Sequence, residues 1–177
     1  MRPKDWNIVL AGLLIAPVPY VARAENYLTE EQAAAVLFPG LHMEARWIDL
    51  TPEQIKTIDK VSGEKVLDPR VRIFWGPNKE ALMIDKVLGK HQFITYAVAI
   101  TPDSKVKGIE ILDYRETYGY QIRDKSWRQN FFGKSAQDSL KLDKDIPNIS
   151  GATLSSKHVT DGVRRVLQTY EILKAKA

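Results

Sequence analysis

Residues 93–114 read FITYAVAITPDSKVKGIEILDY, and this stretch predicts a β-hairpin. In its first half, large apolar residues alternate with smaller ones, which is the period of two typical of a β-strand. Turn-forming residues follow at 101–104, and a second β-branched run covers 106–114. The stretch therefore predicts two antiparallel strands at the centre of the fold. Its alternating large residues are Ile94, Tyr96, Val98 and Ile100.

The segments before the hairpin extend the same architecture. Residues 71–75 and 81–88 are two further strand-like runs, each followed by a glycine. Upstream, Thr29-Glu30-Glu31-Gln32 forms a capping box that predicts a helix over 30–38. Thr51 followed by Pro52 is a second helix start, and that helix is expected to end at Ser62-Gly63.

The C-terminal region predicts a long helix. Between about Ser155 and Leu173, apolar residues recur at a spacing of three to four, with polar residues on the opposite face. The pattern weakens over residues 113–148, which indicates loops and short helices. The sequence thus predicts an α+β fold, in which a mainly antiparallel sheet is covered by helices and the long C-terminal helix packs on it.

The N-terminal 24 residues have the composition of a targeting segment. Arg2 and Lys4 precede the apolar run Ile8 to Ala16, and Ala22-Arg23-Ala24 is a small-x-small cleavage site. The apolar run is shorter than the roughly 20 residues of a membrane-spanning helix. We therefore expect a cleaved signal peptide over 1–24 and a single domain over 25–177, located in the periplasm or another extracytoplasmic space. A short uncleaved interfacial anchor is the alternative.

Composition restricts the chemistry available to the chain. It contains no cysteine, which excludes disulfides, Cys-ligated iron–sulfur clusters and thioether-attached haem. Any redox function would therefore need an organic cofactor. The three histidines have no metal-ligand spacing, so no metal site is expected. A net charge of +4 without a basic stripe of interleaved aromatics argues against nucleic-acid binding.

Residues 148–156, NISGATLSS, are the chemically suggestive segment. A run of small residues precedes the predicted C-terminal helix, and a helix N-terminus favours a phosphate through its free N–H groups and its dipole. Taken alone, the segment favours Ser155 acting as an ordinary N-cap after a small-residue loop over a phosphate site.

This segment resembles the flavinylation motif of the FMN-binding domain family. That family includes the G subunit of the Rnf complex, the C subunit of sodium-pumping quinone reductase and a domain of NosR-type proteins. Residues 116–119, ETYG, resemble the family's E-T-x-G segment, and residues 127–134 resemble its aromatic-rich F-x-G-K segment. One position departs from the pattern: Pro147 stands where the family usually has an acid, and Asp145 lies two residues earlier.

The resemblance implies one FMN per chain, joined by a phosphoester to the hydroxyl of Thr153. It implies that Lys134 or Lys157, with the helix N-terminus, offsets the charge of the phosphate. Glu116 would lie beside the flavin, or would be a solvated loop acid. We expect Glu116, Thr117, Gly119 and Lys134 to lie near Ser150 to Ser155 in space. The predicted cofactor-binding residues are Thr153, Ser150, Gly151, Ala152, Leu154, Ser155, Glu116, Thr117, Gly119 and Lys134.

The function that this resemblance implies is extracytoplasmic electron transfer. The protein would shuttle electrons between redox partners, such as a membrane oxidoreductase or a cytochrome, and would have no substrate of its own. A magnesium-dependent FMN transferase would attach the cofactor. Two alternatives stay open: an exported binding or accessory module without a redox role, and a small flavin reductase with dissociable FMN.

The cleavage site gives a first testable prediction. N-terminal sequencing of the exported protein should begin at Glu25, because Ala22 and Ala24 occupy the small-residue positions of the cleavage site. An N-terminus that starts at Met1 and stays embedded in the membrane would contradict both the cleavage and the predicted location.

Overall fold

The computed structural model describes residues 25–26 and 28–176; the predicted signal peptide lies outside them. Six strands form one sheet: β1 (Glu25–Asn26), β2 (Glu44–Asp49), β3 (Arg70–Trp75), β4 (Ala81–Leu88), β5 (Phe93–Ile100) and β6 (Val106–Tyr114). The helices are α1 (Glu30–Leu37), α2 (Pro52–Ser62), the single-turn α3 (Lys125–Arg128) and the long α4 (Thr153–Leu173). Among these described helices, none combines the length and apolar character needed to cross a membrane.

The sheet is an antiparallel meander. Its strand order is β1-β6-β5-β4-β3-β2, and each pair of neighbours runs antiparallel. In the central hairpin, Ile100 pairs with Val106 next to the turn and Ile94 pairs with Tyr114 at the open end. This architecture confirms the predicted α+β fold with its antiparallel sheet and C-terminal helix.

Both faces of the sheet are covered, and β5 shows how the sequence does this. Its larger residues Ile94, Tyr96 and Val98 face the main core under α4, whereas Ala97 and Ala99 belong to a smaller cluster under α1. The period-two pattern thus separates a large-residue face from a small-residue face. The small alanines leave room for α1, which buries two alanines of its own on the same side.

The long helix α4 lies close against the sheet at Gly162. A Cβ atom at this position would overlap the Tyr96 hydroxyl and lie 2.8 Å from Val87 Cγ1. That hydroxyl donates to Asp85 Oδ2 over 2.6 Å, and Arg165 Nη2 donates to the same oxygen over 2.7 Å. Burial raises the pKa of Tyr96 well above its usual value, and the neighbouring carboxylate of Asp85 raises it further. The hydroxyl therefore stays protonated and acts as a donor.

Two details differ from the sequence-based expectation. First, α4 begins at Thr153, with Ala152 as its N-cap, rather than near Ser155. The Ser155 side chain is buried inside the first turn, so it cannot act as the cap. Second, β1 and β2 were not predicted. β2 is an edge strand whose residues are mostly exposed, so its sequence lacks the apolar alternation of a half-buried strand.

The contact at Gly162 gives a stability prediction. Gly162→Ala should lower the free energy of unfolding by about 1–3 kcal/mol, because the added methyl group overpacks a filled core. Chemical denaturation of the purified protein measures this cost.

The matched control removes the atom that the methyl group would meet first. In a Tyr96→Phe background the hydroxyl is gone, so Gly162→Ala should cost measurably less than in the parent protein. Equal costs in the two backgrounds would show that the Tyr96 hydroxyl does not limit the approach of α4.

Candidate functional site

An open cleft lies where the β4–β5 turn, the segment after β6 and the start of α4 meet. Its volume is about 420 Å³, which falls in the range of small-molecule sites. All but two of the residues that line it come from the 116–119 and 148–156 segments, so the structure brings these segments together. The lining residues are Lys90, His91, Glu116, Thr117, Tyr118, Gly151, Ala152, Thr153, Leu154 and Ser155.

A tight turn delivers the flavinylation-like motif to the cleft. The backbone N–H of Ala152 donates to the carbonyl of Ile149 over 2.9 Å, and Gly151 has φ +80°. No atom lies within 4 Å of the position that a Cβ of Gly151 would occupy. Glycine is therefore favoured here by the left-handed backbone and not by lack of space. Ser150 occupies the preceding turn position and is exposed.

The turn places Thr153 as the first residue of α4, with its side chain exposed. The first N–H groups of a helix have no acceptor within the helix, and no side chain caps them here. These groups and the helix dipole favour an anion at the same end. The Thr153 hydroxyl therefore stands beside a set of donors that suits a phosphate.

The two serines that follow, Ser155 and Ser156, differ from Thr153 in the exposure of their hydroxyl groups. Ser155 is buried, and its Oγ lies 3.4 Å from Tyr114 Oη. The Oγ of Ser156 is buried as well and donates to the carbonyl of Ala152 over 3.0 Å. Both hydroxyls face the protein interior, so only Thr153 of these three offers an exposed hydroxyl.

Gly119 joins the segment after β6 to the motif. Its φ is +91°, and a Cβ would lie 2.7 Å from Tyr114 Oη and 3.1 Å from Ala152 Cβ. Both the backbone conformation and the available space thus require glycine. The expected proximity of Gly119 to the motif is what the structure shows.

Glu116 lines the cleft, but its carboxylate is engaged by backbone groups. Its Oε1 accepts from the N–H groups of His91 over 2.6 Å and Gln92 over 3.0 Å. Partial burial raises the pKa of Glu116, but these N–H donors lower it by more, so the pKa lies below its ordinary value. One oxygen of the half-buried Glu116 carboxylate is therefore bound to the backbone of the β4–β5 turn. It holds the β4–β5 turn.

Lys134 does not line the cleft, contrary to the expected proximity to the motif. Its backbone carbonyl accepts from the N–H of Val106, the first residue of β6, whereas the cleft lies beyond the last residue of that strand. Its Nζ lies 3.9 Å from Asp138 Oδ1. The segment that ends at Lys134 therefore returns along β6 to the opposite end of the strand.

Lys157, the second lysine considered for the phosphate, also lies outside the residues that line the cleft. It is in the second turn of α4, where its ammonium group pairs with the carboxylate of Asp161. The positive charge of Lys157 is therefore already paired with a carboxylate of the same helix.

Pro147, which stands where the family usually has an acidic residue, has its own structural role. The carbonyl of Pro147 accepts from Trp127 Nε1 over 2.8 Å, which ties the loop before the motif to the core. Asp145 accepts from the hydroxyl of Ser139, and this hydrogen bond lowers the pKa of Asp145.

Trp127 is buried and packs on an aromatic neighbour, so it is a core residue, whereas Tyr118 lies in the cleft and is 76% exposed.

Sequence reasoning missed Lys90 and His91, which line the cleft together with the motif. They follow a strand end at Gly89 and match no motif, so only the sheet topology reveals them. A Cβ at Gly89 would lie 2.5 Å from Glu116 Oε1, which explains why the turn can approach that carboxylate so closely.

Comparison with known proteins agrees with this geometry. Residues 89–168 match the family model of the FMN-binding domain, and this range contains every residue that lines the cleft. This part of the chain belongs to the FMN-binding domain family. This match supports FMN as the cofactor of the domain. The cleft is open and contains a lysine and a helix N-terminus that no side chain caps, and these features fit a ligand that carries a phosphate.

Two curated relatives have matching segments. The chain is 34% identical over 94 residues to the G subunit of the Na(+)-translocating ferredoxin:NAD(+) oxidoreductase complex of Acetobacterium woodii, a match that covers 48% of this chain. It is 37% identical over 83 residues to the G subunit of the proton-translocating ferredoxin:NAD(+) oxidoreductase complex of Clostridium ljungdahlii, which covers 42% of this chain. The chain spans 44% of the length of each relative.

The hydrogen bonds of Glu116 predict a pH dependence. Because its folded-state pKa is lowered, the carboxylate stabilises the fold fully above the free value of 4.5, and this contribution is lost as the pH falls through the folded pKa. The protein should therefore be more stable than Glu116→Gln near neutral pH, and the two should converge in acid. Urea denaturation across this pH range measures the difference. A difference independent of pH would show that the charge of Glu116 contributes nothing.

Proposed function

We propose that this domain carries one FMN, joined by a phosphoester to Oγ1 of Thr153, and transfers electrons outside the cytoplasm. The observation that supports it most is the position of Thr153: an exposed hydroxyl on the first residue of a helix that no side chain caps, opening on the cleft. When bound, FMN supplies the redox chemistry that a chain without cysteine lacks.

The residues of the cleft have separate tasks in this proposal. Thr153 provides the oxygen for attachment, and the first N–H groups of α4 face the phosphate charge. Ala152 lines the cleft, and the lack of a side chain at Gly119 lets the segment after β6 lie close to Ala152. Glu116 holds the β4–β5 turn, which lines the same cleft.

The openness of the cleft favours electron exchange with other proteins over conversion of a small substrate. Tyr118 is 76% exposed and Leu154 is 46% exposed, so the apolar rim of the cleft is accessible from outside. An enzyme that reduces a small substrate would enclose it to exclude water. We therefore propose a carrier whose flavin is reached by partner proteins.

The partners and the location follow the same proposal. The matched relatives are named as subunits of ion-translocating oxidoreductase complexes. A component of such a membrane complex, or a cytochrome, is the proposed electron donor or acceptor. A magnesium-dependent FMN transferase outside the cytoplasm would form the phosphoester from a donor that carries FMN in a phosphoanhydride bond: that bond breaks, its nucleotide half leaves, and the Thr153 hydroxyl loses its proton. The predicted signal peptide over 1–24 would bring the domain there.

Attachment is tested by flavin fluorescence of the protein band in a denaturing gel, after export in a host that has the transferase. The wild-type band should fluoresce, because a phosphoester survives unfolding. Thr153→Val should abolish the signal, since valine keeps the shape of threonine and removes only the hydroxyl.

Thr117→Val is the matched control, because Thr117 is an exposed threonine that lines the same cleft. It should keep the fluorescent band, as should Ser155→Ala. A fluorescent Thr153→Val band would place the bond elsewhere. A dark wild-type band, with the transferase active and magnesium present, would contradict covalent attachment and favour dissociable FMN.

A further inference from the structure

The β4–β5 turn, residues 89–92, gives the cleft its positive charge. Lys90 and His91 line the same cleft as Thr153, and Lys90 is the only lysine or arginine among the residues lining the cleft in the described part of the chain. The turn is thus placed to contact whatever occupies the cleft.

This turn is held in place from three sides. Within it, the N–H of Gly89 donates to the carbonyl of Gln92 over 2.8 Å. The carboxylate of Glu116 accepts the N–H groups of His91 and Gln92. On the side of α4, Nδ1 of His158 contacts the carbonyl of the last residue of β4. The backbone position of Lys90 is therefore set by the residues on both sides of the cleft.

Lys90 also differs from the other lysines considered for the phosphate. Lys134 lies 3.9 Å from Asp138, away from the cleft, and Lys157 is paired within α4. Across the described residues, Lys90 forms no ion pair, and Glu116, the acid that lines the cleft with it, accepts two backbone N–H groups at its Oε1. Its ammonium group is thus available to an anionic ligand.

We propose that Lys90, held on the cleft wall by Glu116, is the cationic contact for the phosphate of FMN. The proposal rests on the FMN site proposed above but does not require the covalent bond. Glu116 acts through the turn and is a positioning residue. A charge-assisted hydrogen bond between an ammonium group and a phosphate is stronger than a neutral one.

The test compares FMN with riboflavin, which lacks the phosphate. The chain is produced without the transferase, so that Thr153 stays unmodified, and each flavin is titrated while its fluorescence is followed. The wild type should bind FMN more tightly than riboflavin. Lys90→Gln should reduce this preference roughly tenfold at low salt by weakening FMN binding alone, and Lys90→Arg should retain most of it.

Lys86→Gln is the control for a general loss of positive charge. Lys86 lies on the neighbouring strand but outside the cleft, where it faces Asp68 at 3.8 Å. It should leave the preference for FMN unchanged. If Lys90→Gln weakens both flavins equally, or neither, or if the wild type shows no preference for FMN, the proposal is wrong.

Amide hydrogen exchange tests the role of Glu116 separately. In Glu116→Ala the amides of His91 and Gln92 should exchange faster, and the preference for FMN should fall toward that of Lys90→Gln. Lys90→Gln itself should leave these exchange rates unchanged. Faster exchange with an intact preference would show that Glu116 does not position Lys90. A dark band in the denaturing gel bears only on the covalent bond, so the two proposals fail independently.

Discussion

The contact between α4 and the sheet at Gly162 is the constraint on which the rest of the structure depends. The missing side chain lets the helix rest on the Tyr96 hydroxyl, and Asp85 accepts from both Tyr96 and Arg165 at this point. Arg165 is only 7% exposed, and a charge this deeply buried is tolerated only when it is paired and hydrogen-bonded. The three partners belong to β4, β5 and α4. Sliding the helix by one turn would therefore separate a buried charge from its partner.

Fixing α4 also fixes the cleft. Thr153 lies nine residues before Gly162, about 13.5 Å along a helix axis, so its position follows from the contact in the core. At this N-terminal end of the helix, Ala152 and Ser155 pack against Gly119, and a histidine one turn further along contacts the end of β4. The site is thus built on rigid elements at one edge, although most of its residues belong to turns.

The sequence predicted what local periodicity and motifs determine. The hairpin over β5 and β6 and the amphipathic helix α4 follow from patterns within single segments, and the ETYG and SGAT segments could be placed in one site. Features that depend on neighbours in space could not be predicted. Lys90 and the engagement of Glu116 by the β4–β5 turn require knowing which strands pair, and β2 has no apolar period because it is an exposed edge. Lys134 lies away from the motif because its segment returns to the start of β6, and no local pattern reveals that direction.

The openness of the cleft gives a physical reason for a covalent bond. A non-covalent site gains affinity by enclosing most of its ligand, yet electron exchange with a partner protein needs the ligand to be reachable. Here the rim residues Tyr118 and Leu154 are exposed, and the cleft lies open between two turns. In such a site a dissociable flavin would be lost whenever its free concentration fell below the dissociation constant.

A phosphoester at Thr153 removes that dependence, because retention no longer requires burial. Thr153 is suited to this role since its hydroxyl is exposed to a modifying enzyme, whereas the hydroxyls of Ser155 and Ser156 are buried. The same exposure that would make the cleft a weak binding site would make it accessible both to the proposed transferase and to the proposed redox partner.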